Sequence, residues 1–109
     1  MRRTHALVQV AKAMMDVPTG RHWGYELSKS AGVRSGVMYP ILTRMLDEGM
    51  VKDGWEDDAI AATEKRPPRR YYVLTGHGQA VLSELLRDAK TDPRFTWVLD
   101  GLRRGAAWN

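Results

Sequence analysis

The chain has 109 residues, 17 Lys and Arg against 13 Asp and Glu, and a formal charge of +4. That length fits one domain with its own core, and the mild positive excess suits an anionic partner such as nucleic acid or an anionic membrane surface. The absence of cysteine excludes a disulfide framework and thiolate metal sites. No apolar run could span a bilayer, and MRRTHALVQV lacks the apolar core and cleavage site of a secretion signal. The expectation is a cytoplasmic protein with no membrane partner.

Thr4 to Asp16 reads as a first helix, with Leu7, Val10, Ala11 and Met14 at helical spacing and Thr4 as its cap. Arg2 and Arg3 before it are either a basic arm or a frayed terminus. Val17-Pro-Thr-Gly20 supplies turn chemistry. Arg21-His22-Trp23 could form an isolated strand, and Gly24 to Ser30 a short helix anchored by Tyr25 and Leu27. Ala31-Gly32-Val33 is a turn.

The chain is organised around Ser35 to Gly49, SGVMYPILTRMLDEG. Ser35 can cap a helix here, and Gly49 can end it in the left-handed conformation. Met38, Ile41, Leu42 and Met45 make one apolar face, while Ser35, Tyr39, Thr43 and Arg44 lie on the other. Pro40 falls about one turn in, where it costs at most one hydrogen bond. Two short helices joined by a glycine turn are a helix-turn-helix, whose second helix enters the major groove N-terminus first.

Met50 to Trp55 and Arg70 to Leu74 read as two strands. Between them Glu56 to Arg69, acidic then basic and closed by Pro67 and Pro68, reads as a long mobile hairpin loop. Strand, loop and strand after a helix-turn-helix make a wing, spanning about 51–74. Thr75 caps the next helix, with Ala80, Val81, Leu82, Leu85 and Leu86 on its apolar side. After Asp92-Pro93, the residues Phe95, Trp97, Val98, Leu99 and Leu102 form a last apolar patch, read as one more short helix. The fold class expected is α+β, mainly α: a winged helix-turn-helix over 1–89 with a dimerising C-terminal segment over 90–109.

In order, the chain carries Gly24-Tyr25-Glu26-Leu27, Gly36-Val-Met-Tyr39-Pro40-Ile-Leu42-Thr-Arg44-Met45, Gly49-Met-Val51, Trp55-Glu56, Arg70-Tyr71-Tyr72-Val-Leu74-Thr75 and Gly78. This series, from about Trp23 to Leu86, resembles the PadR-type winged-helix transcriptional regulators. The resemblance implies dimeric repressors that bind DNA through the recognition helix and wing, dimerise through C-terminal helices, and respond to small aromatic or amphipathic molecules. It implies that Tyr39, the start of its helix and the basic end of the wing face DNA. The acidic stretch Asp57 to Glu64 departs from the family pattern in length. The short C-terminal part resembles the family's small subgroup and implies no large effector domain.

The DNA-binding candidates on the helix are Arg34, Ser35, Tyr39, Thr43 and Arg44. Tyr39 can give its hydroxyl to a phosphate or pack half-buried on the first helix. Arg44 can meet a phosphate or pair with Glu48 at i+4. On the wing the candidates are Lys65, Arg66, Arg69 and Arg70, unless they are solvated loop charges. A dimer neutralising about 6–10 phosphates would bind with steep salt dependence. Its symmetry implies a pseudo-palindromic site with half-sites about 34–36 Å apart. The self-contact candidates are Leu82, Leu85, Leu86, Phe95, Trp97, Val98, Leu99 and Leu102, which could instead pack within one subunit, with Leu7 and Met14 as possible additions. Phe95, Trp97 and Trp108 could line a pocket for a flat effector, or be plain core.

Enzyme chemistry is not expected. His5, His22 and His77 are scattered, with no carboxylates at useful spacing, so neither a metal nor another cofactor is implied. Gly76-His77-Gly78 lacks the third glycine and lysine of a phosphate loop. Asp57-Asp58 reads as a solvated pair. The expected function is sequence-specific binding of duplex DNA by a homodimeric repressor. The competing reading is a winged-helix module for protein contact or ligand sequestration, with weak or no DNA binding.

Overall fold

The computed structural model describes residues 3–97 and Leu99. Its elements are α1 (His5–Met15), β1 (His22–Trp23), α2 (Gly24–Ala31), α3 (Ser35–Asp47), β2 (Val51–Trp55), α4 (Asp58–Thr63), β3 (Arg70–Leu74) and α5 (Gly76–Lys90). This is an α+β, mainly helical, winged helix-turn-helix. Arg2, Val98, Leu102 and Trp108 lie outside the described residues.

The helices form where the sequence supplies both an apolar stripe and a way to end. Thr4 accepts from the Leu7 N–H at the start of α1, and Thr75 accepts from the Gly78 N–H at the start of α5; each such cap is worth about 1 kcal/mol. Gly32 ends α2 at φ 68°, and Gly49 follows α3 at φ 70°, both in the left-handed region glycine tolerates best. The apolar stripes converge on one core. Leu7, Val10 and Met14 of α1 meet Leu27 of α2, then Met38, Leu42 and Met45 of α3, then Leu82 of α5. Burying each of the α3 side chains contributes about 1.5–3 kcal/mol.

The sheet is antiparallel in the order β1-β3-β2. Val51 faces Leu74 and Trp55 faces Arg70 across the wing, while His22 and Trp23 face Tyr72 and Tyr71. The 21–23 stretch is therefore not an isolated strand. His22 and Trp23 take the free edge of β3 and tie the wing to the entry of α2.

Other expectations change as well. The residue at the N-cap of α3 is Arg34, with no side-chain cap bond, so Ser35 is the first helical residue rather than the cap. Tyr25 is no anchor: it is 67% exposed with Lys29 over its ring, and of the two expected anchors only Leu27 is buried. Ala80 is exposed, one position off the buried stripe of α5. The largest change is in 56–69, expected as a mobile loop. It contains α4, started by Asp57, whose carboxylate accepts from the Ala59 N–H at 2.7 Å. The acidic pair thus includes a helix cap, a role short Asp side chains fill well.

Beyond α5 the chain turns at Asp92 and folds back, so Phe95 and Leu99 are buried against Val8 and Ala89. The His5 ring lies edge-on to Phe95 at 5.3 Å, and its Nε2 donates to the Arg94 carbonyl at 2.7 Å. Arg94 also grips Asp92, and its guanidinium and N–H hold that carboxyl down to about 2.

Candidate nucleic-acid interface

Helix α3 buries Met38, Leu42 and Met45 and exposes Ser35, Gly36, Val37, Tyr39, Pro40, Thr43 and Arg44. The sequence periodicity therefore placed both faces. Arg44 reaches Glu48 one turn on, Nε to Oε1 at 3.5 Å, in an exposed pair of small worth. Arg34 is exposed just before the helix. Tyr39 is 44% exposed, and the hydroxyl end of its ring lies over Gly24 at the start of α2. A Cβ at Gly24 would lie 2.1 Å from its hydroxyl oxygen, so the missing side chain makes the room Tyr39 occupies.

Tyr39 opens onto a cleft of about 250 Å³ that it shares with Trp23, Glu26, Arg69, Arg70 and Tyr72. The recognition-helix tyrosine and the base of the wing thus meet on one surface. Burial pushes the Tyr72 hydroxyl above its usual value. His22, on the edge strand, is also buried and is held below the usual histidine value by lost solvation. Its Nε2 contact with the Val17 carbonyl at 3.0 Å opposes that shift.

The wing arginines are close together, as their spacing suggested, but each already has a carboxylate. Arg66 donates from both terminal nitrogens to the two oxygens of Glu56, at 2.9 Å for Oε2. Glu56 is only 8% exposed and also accepts from the Arg69 N–H. The Arg66 fork is the main cause holding the Glu56 carboxyl below its ordinary value, with the Arg69 N–H adding to it. Arg69, just before β3, bridges to Glu26 of α2 at 3.4 Å and lies 5.4 Å from the Trp23 ring of β1. Arg70 grips Asp53 at 2.6 Å, a diagonal pair across β2 and β3, and lies over Tyr72 at 5.2 Å. Lys65 is exposed at φ 56° where α4 runs into the returning strand.

Glu26, Asp53 and Glu56 are the residues sequence reading missed here. Asp53 had a usable signal, since antiparallel register puts it diagonal to Arg70. Glu26 and Glu56 stand in the motifs quoted above, but nothing local marks them as ion-pair partners, because the arginines they meet lie 43 and 10 positions away.

The self-contact candidates divide by burial. Leu82, Phe95 and Leu99 are enclosed by their own chain, Leu85 and Leu86 are partly covered, and Trp97 is 47% exposed. Beside them α1 and α5 bound a hollow of about 610 Å³, lined by the apolar Met15, Leu86 and Leu99 and by Lys12, Arg87, Lys90 and Asp16, of which Lys12 and Asp16 pair with each other. Among the described residues no group of three or more His, Asp or Glu could hold a metal, and no helix is long and apolar enough to cross a membrane.

A helix-turn-helix whose second helix exposes a polar face beside a two-stranded wing defines a winged-helix module. The model of the transcriptional regulator PadR-like family matches residues 18–84, and the chain belongs to that family. Its members are transcription regulators that bind DNA, not enzymes. No curated protein matches the chain. Among solved structures, a protein from Streptococcus mutans UA159 superposes with a TM-score of 0.65 at 21% identity, covering 96% of this chain and 95% of that one. A PadR family transcription regulator from Clostridium difficile gives 0.59 at 20% identity, covering 94% and 100%. A PadR-like transcriptional regulator from Bacillus cereus gives 0.59 at 23%, covering 90% and 93%. At these identities the likeness is one of fold.

Proposed function

We propose that the protein is a homodimeric repressor that binds a pseudo-palindromic operator in duplex DNA and is released by a small aromatic or amphipathic molecule. The observation that carries the reading is the common cleft of Tyr39, Arg69 and Arg70, which lets helix and wing address one duplex. Ser35, Tyr39 and Thr43 supply hydroxyls for phosphates or base edges, and Arg34 and Lys65 supply exposed cations that no carboxylate among the described residues engages. Arg66 acts by holding the wing in shape through Glu56, and Arg69, Arg70 and Arg44 reach phosphate by turning from their present partners. Self-association uses Leu85, Leu86 and Trp97, together with Val98 and Leu102. Leu82, Phe95 and Leu99 back that surface from within. The effector is held by aromatic side chains, the half-exposed Trp97 and the buried Phe95; Trp108, the third aromatic assigned to it, lies outside the described residues.

A second reading has its own support. With Arg66, Arg69 and Arg70 each facing a carboxylate, the wing carries less free charge than its composition suggests, which suits a protein-contact module with weak DNA affinity. Selection of bound duplexes from a random pool at stated salt separates the two. Enrichment of a palindrome supports the repressor, and binding lost on combining Arg34→Ala with Lys65→Ala supports the assigned cations. A pool that enriches nothing supports the contact module.

A further inference from the structure

Two neighbours in the first turn of α3 are unexplained by the packing of this chain. Gly36 is a poor helix former, yet nothing lies within 4 Å of where its Cβ would sit. Among the described residues no internal contact requires it. Next to it Val37 leaves 43% of its surface in solvent, although its neighbour Met38 is fully buried. At 3.6 residues per turn, Gly36, Pro40 and Thr43 point opposite the buried face, with Val37 on one flank and Tyr39 on the other. Over this turn the helix presents a bare step beside an isopropyl group, with no charged side chain between Ser35 and Thr43. The N-cap has no side-chain bond, so nothing from the chain's own cap covers the helix end.

We infer that Val37 reads a thymine C5-methyl group in the major groove, with Gly36 bare so that the helix backbone can approach the base edge. This rests on the DNA-binding reading above and adds a base identity to it. The chemistry is that of the groove: thymine alone offers a methyl there, and small apolar side chains are its usual partners. An isopropyl group has no hydrogen bond to offer guanine, cytosine or adenine, so its contact favours one base. Glycine at close approach serves the same end. Thr43 also carries a methyl, but it lies two turns from the helix start, where a helix entering N-terminus first stands farther from the bases.

The test uses the full chain and the duplex enriched by selection. Each thymine is replaced singly by deoxyuridine, which removes only the methyl. The expected result is one position per half-site at which the replacement weakens wild-type binding about fourfold, the worth of one buried methyl. Val37→Ala should bind the unmodified duplex about as weakly as wild type binds the deoxyuridine duplex, and should be indifferent to the replacement. Val37→Ile should keep the sensitivity, and Thr43→Ala should leave it unchanged. Thermal unfolding checks that the variants fold, as expected for an exposed position. Binding with no methyl-sensitive position, or sensitivity that survives Val37→Ala, overturns the assignment while leaving DNA binding intact. Failure to enrich any duplex overturns the DNA-binding reading itself and this inference with it.

Discussion

Helix α3 and the wing both offer polar side chains to solvent, yet they differ in what already answers those side chains. On α3 the inner face is fixed by Met38, Leu42 and Met45, while Ser35, Tyr39 and Thr43 are left open outward. On the wing the order is reversed. Little of 56–69 is held by apolar burial beyond Ala61, and the charges themselves supply the structure, Arg66 to Glu56, Arg69 to Glu26 and Arg70 to Asp53. A count of cations therefore overstates what the wing has free for phosphate, while α3 carries fewer charges but exposes hydroxyls that no described residue engages.

That contrast can be broken from either side, and the largest effect belongs to the helix. Leu42→Ala removes a fully buried side chain from the common core, and denaturant unfolding should show a loss of about 2–5 kcal/mol. If the loss were under about 0.5 kcal/mol, α3 would not be held by its apolar face. Gly24→Ala should act on function instead. The added methyl collides with the far end of Tyr39, which can swing aside, so DNA binding should weaken about tenfold, the worth of one good contact. Its thermal midpoint should move little, because the displaced group is a half-exposed side chain.

The wing predictions are smaller. Glu56→Gln removes the carboxylate that gathers Arg66 and the Arg69 N–H. Amide exchange across 57–66 should speed up, while the midpoint of unfolding shifts by less than about 4 °C. Unchanged exchange would mean that α4 is held by its own cap and not by the ion pair. Acid should act on the fold in two stages. His22 is held low in the folded chain, so the unfolded chain takes up a proton first as pH falls below about 6.5, and stability should decline from there. A His22→Gln variant should flatten that stage. Glu56 and Asp92 are held below their ordinary values, so what they contribute is present above about pH 4 and lost as pH falls further, for Asp92 down to about 2.

How much of this was legible follows the same division. The helix-turn-helix could be read because period, cap and glycine stop are local: Met38, Leu42 and Met45 at helical spacing and Gly32 and Gly49 at the ends are properties of short windows. Helix α4 was missed because six residues with a single buried alanine give no apolar period, and its cap, Asp57, looked like one more solvated charge. The pairing of β1 with β3 was missed because a two-residue strand has no pattern until its partner is known. The basic cluster was found by composition, but its partners come from α2, from β2 and from Glu56 just after β2, and only the folded chain brings them together. Ser35 was misplaced by one residue, the usual scale of error at a helix boundary.

The central claim is that α3 and the wing engage one duplex together, in two copies. The direct measurement is the equilibrium affinity of the full chain for its selected duplex across a salt series, with stoichiometry read in the same titration. The account predicts two protomers per duplex and a plot of log affinity against log salt with a slope of about −5 to −9, as for 6–10 neutralised phosphates. A single protomer bound, or a slope near zero, would contradict it.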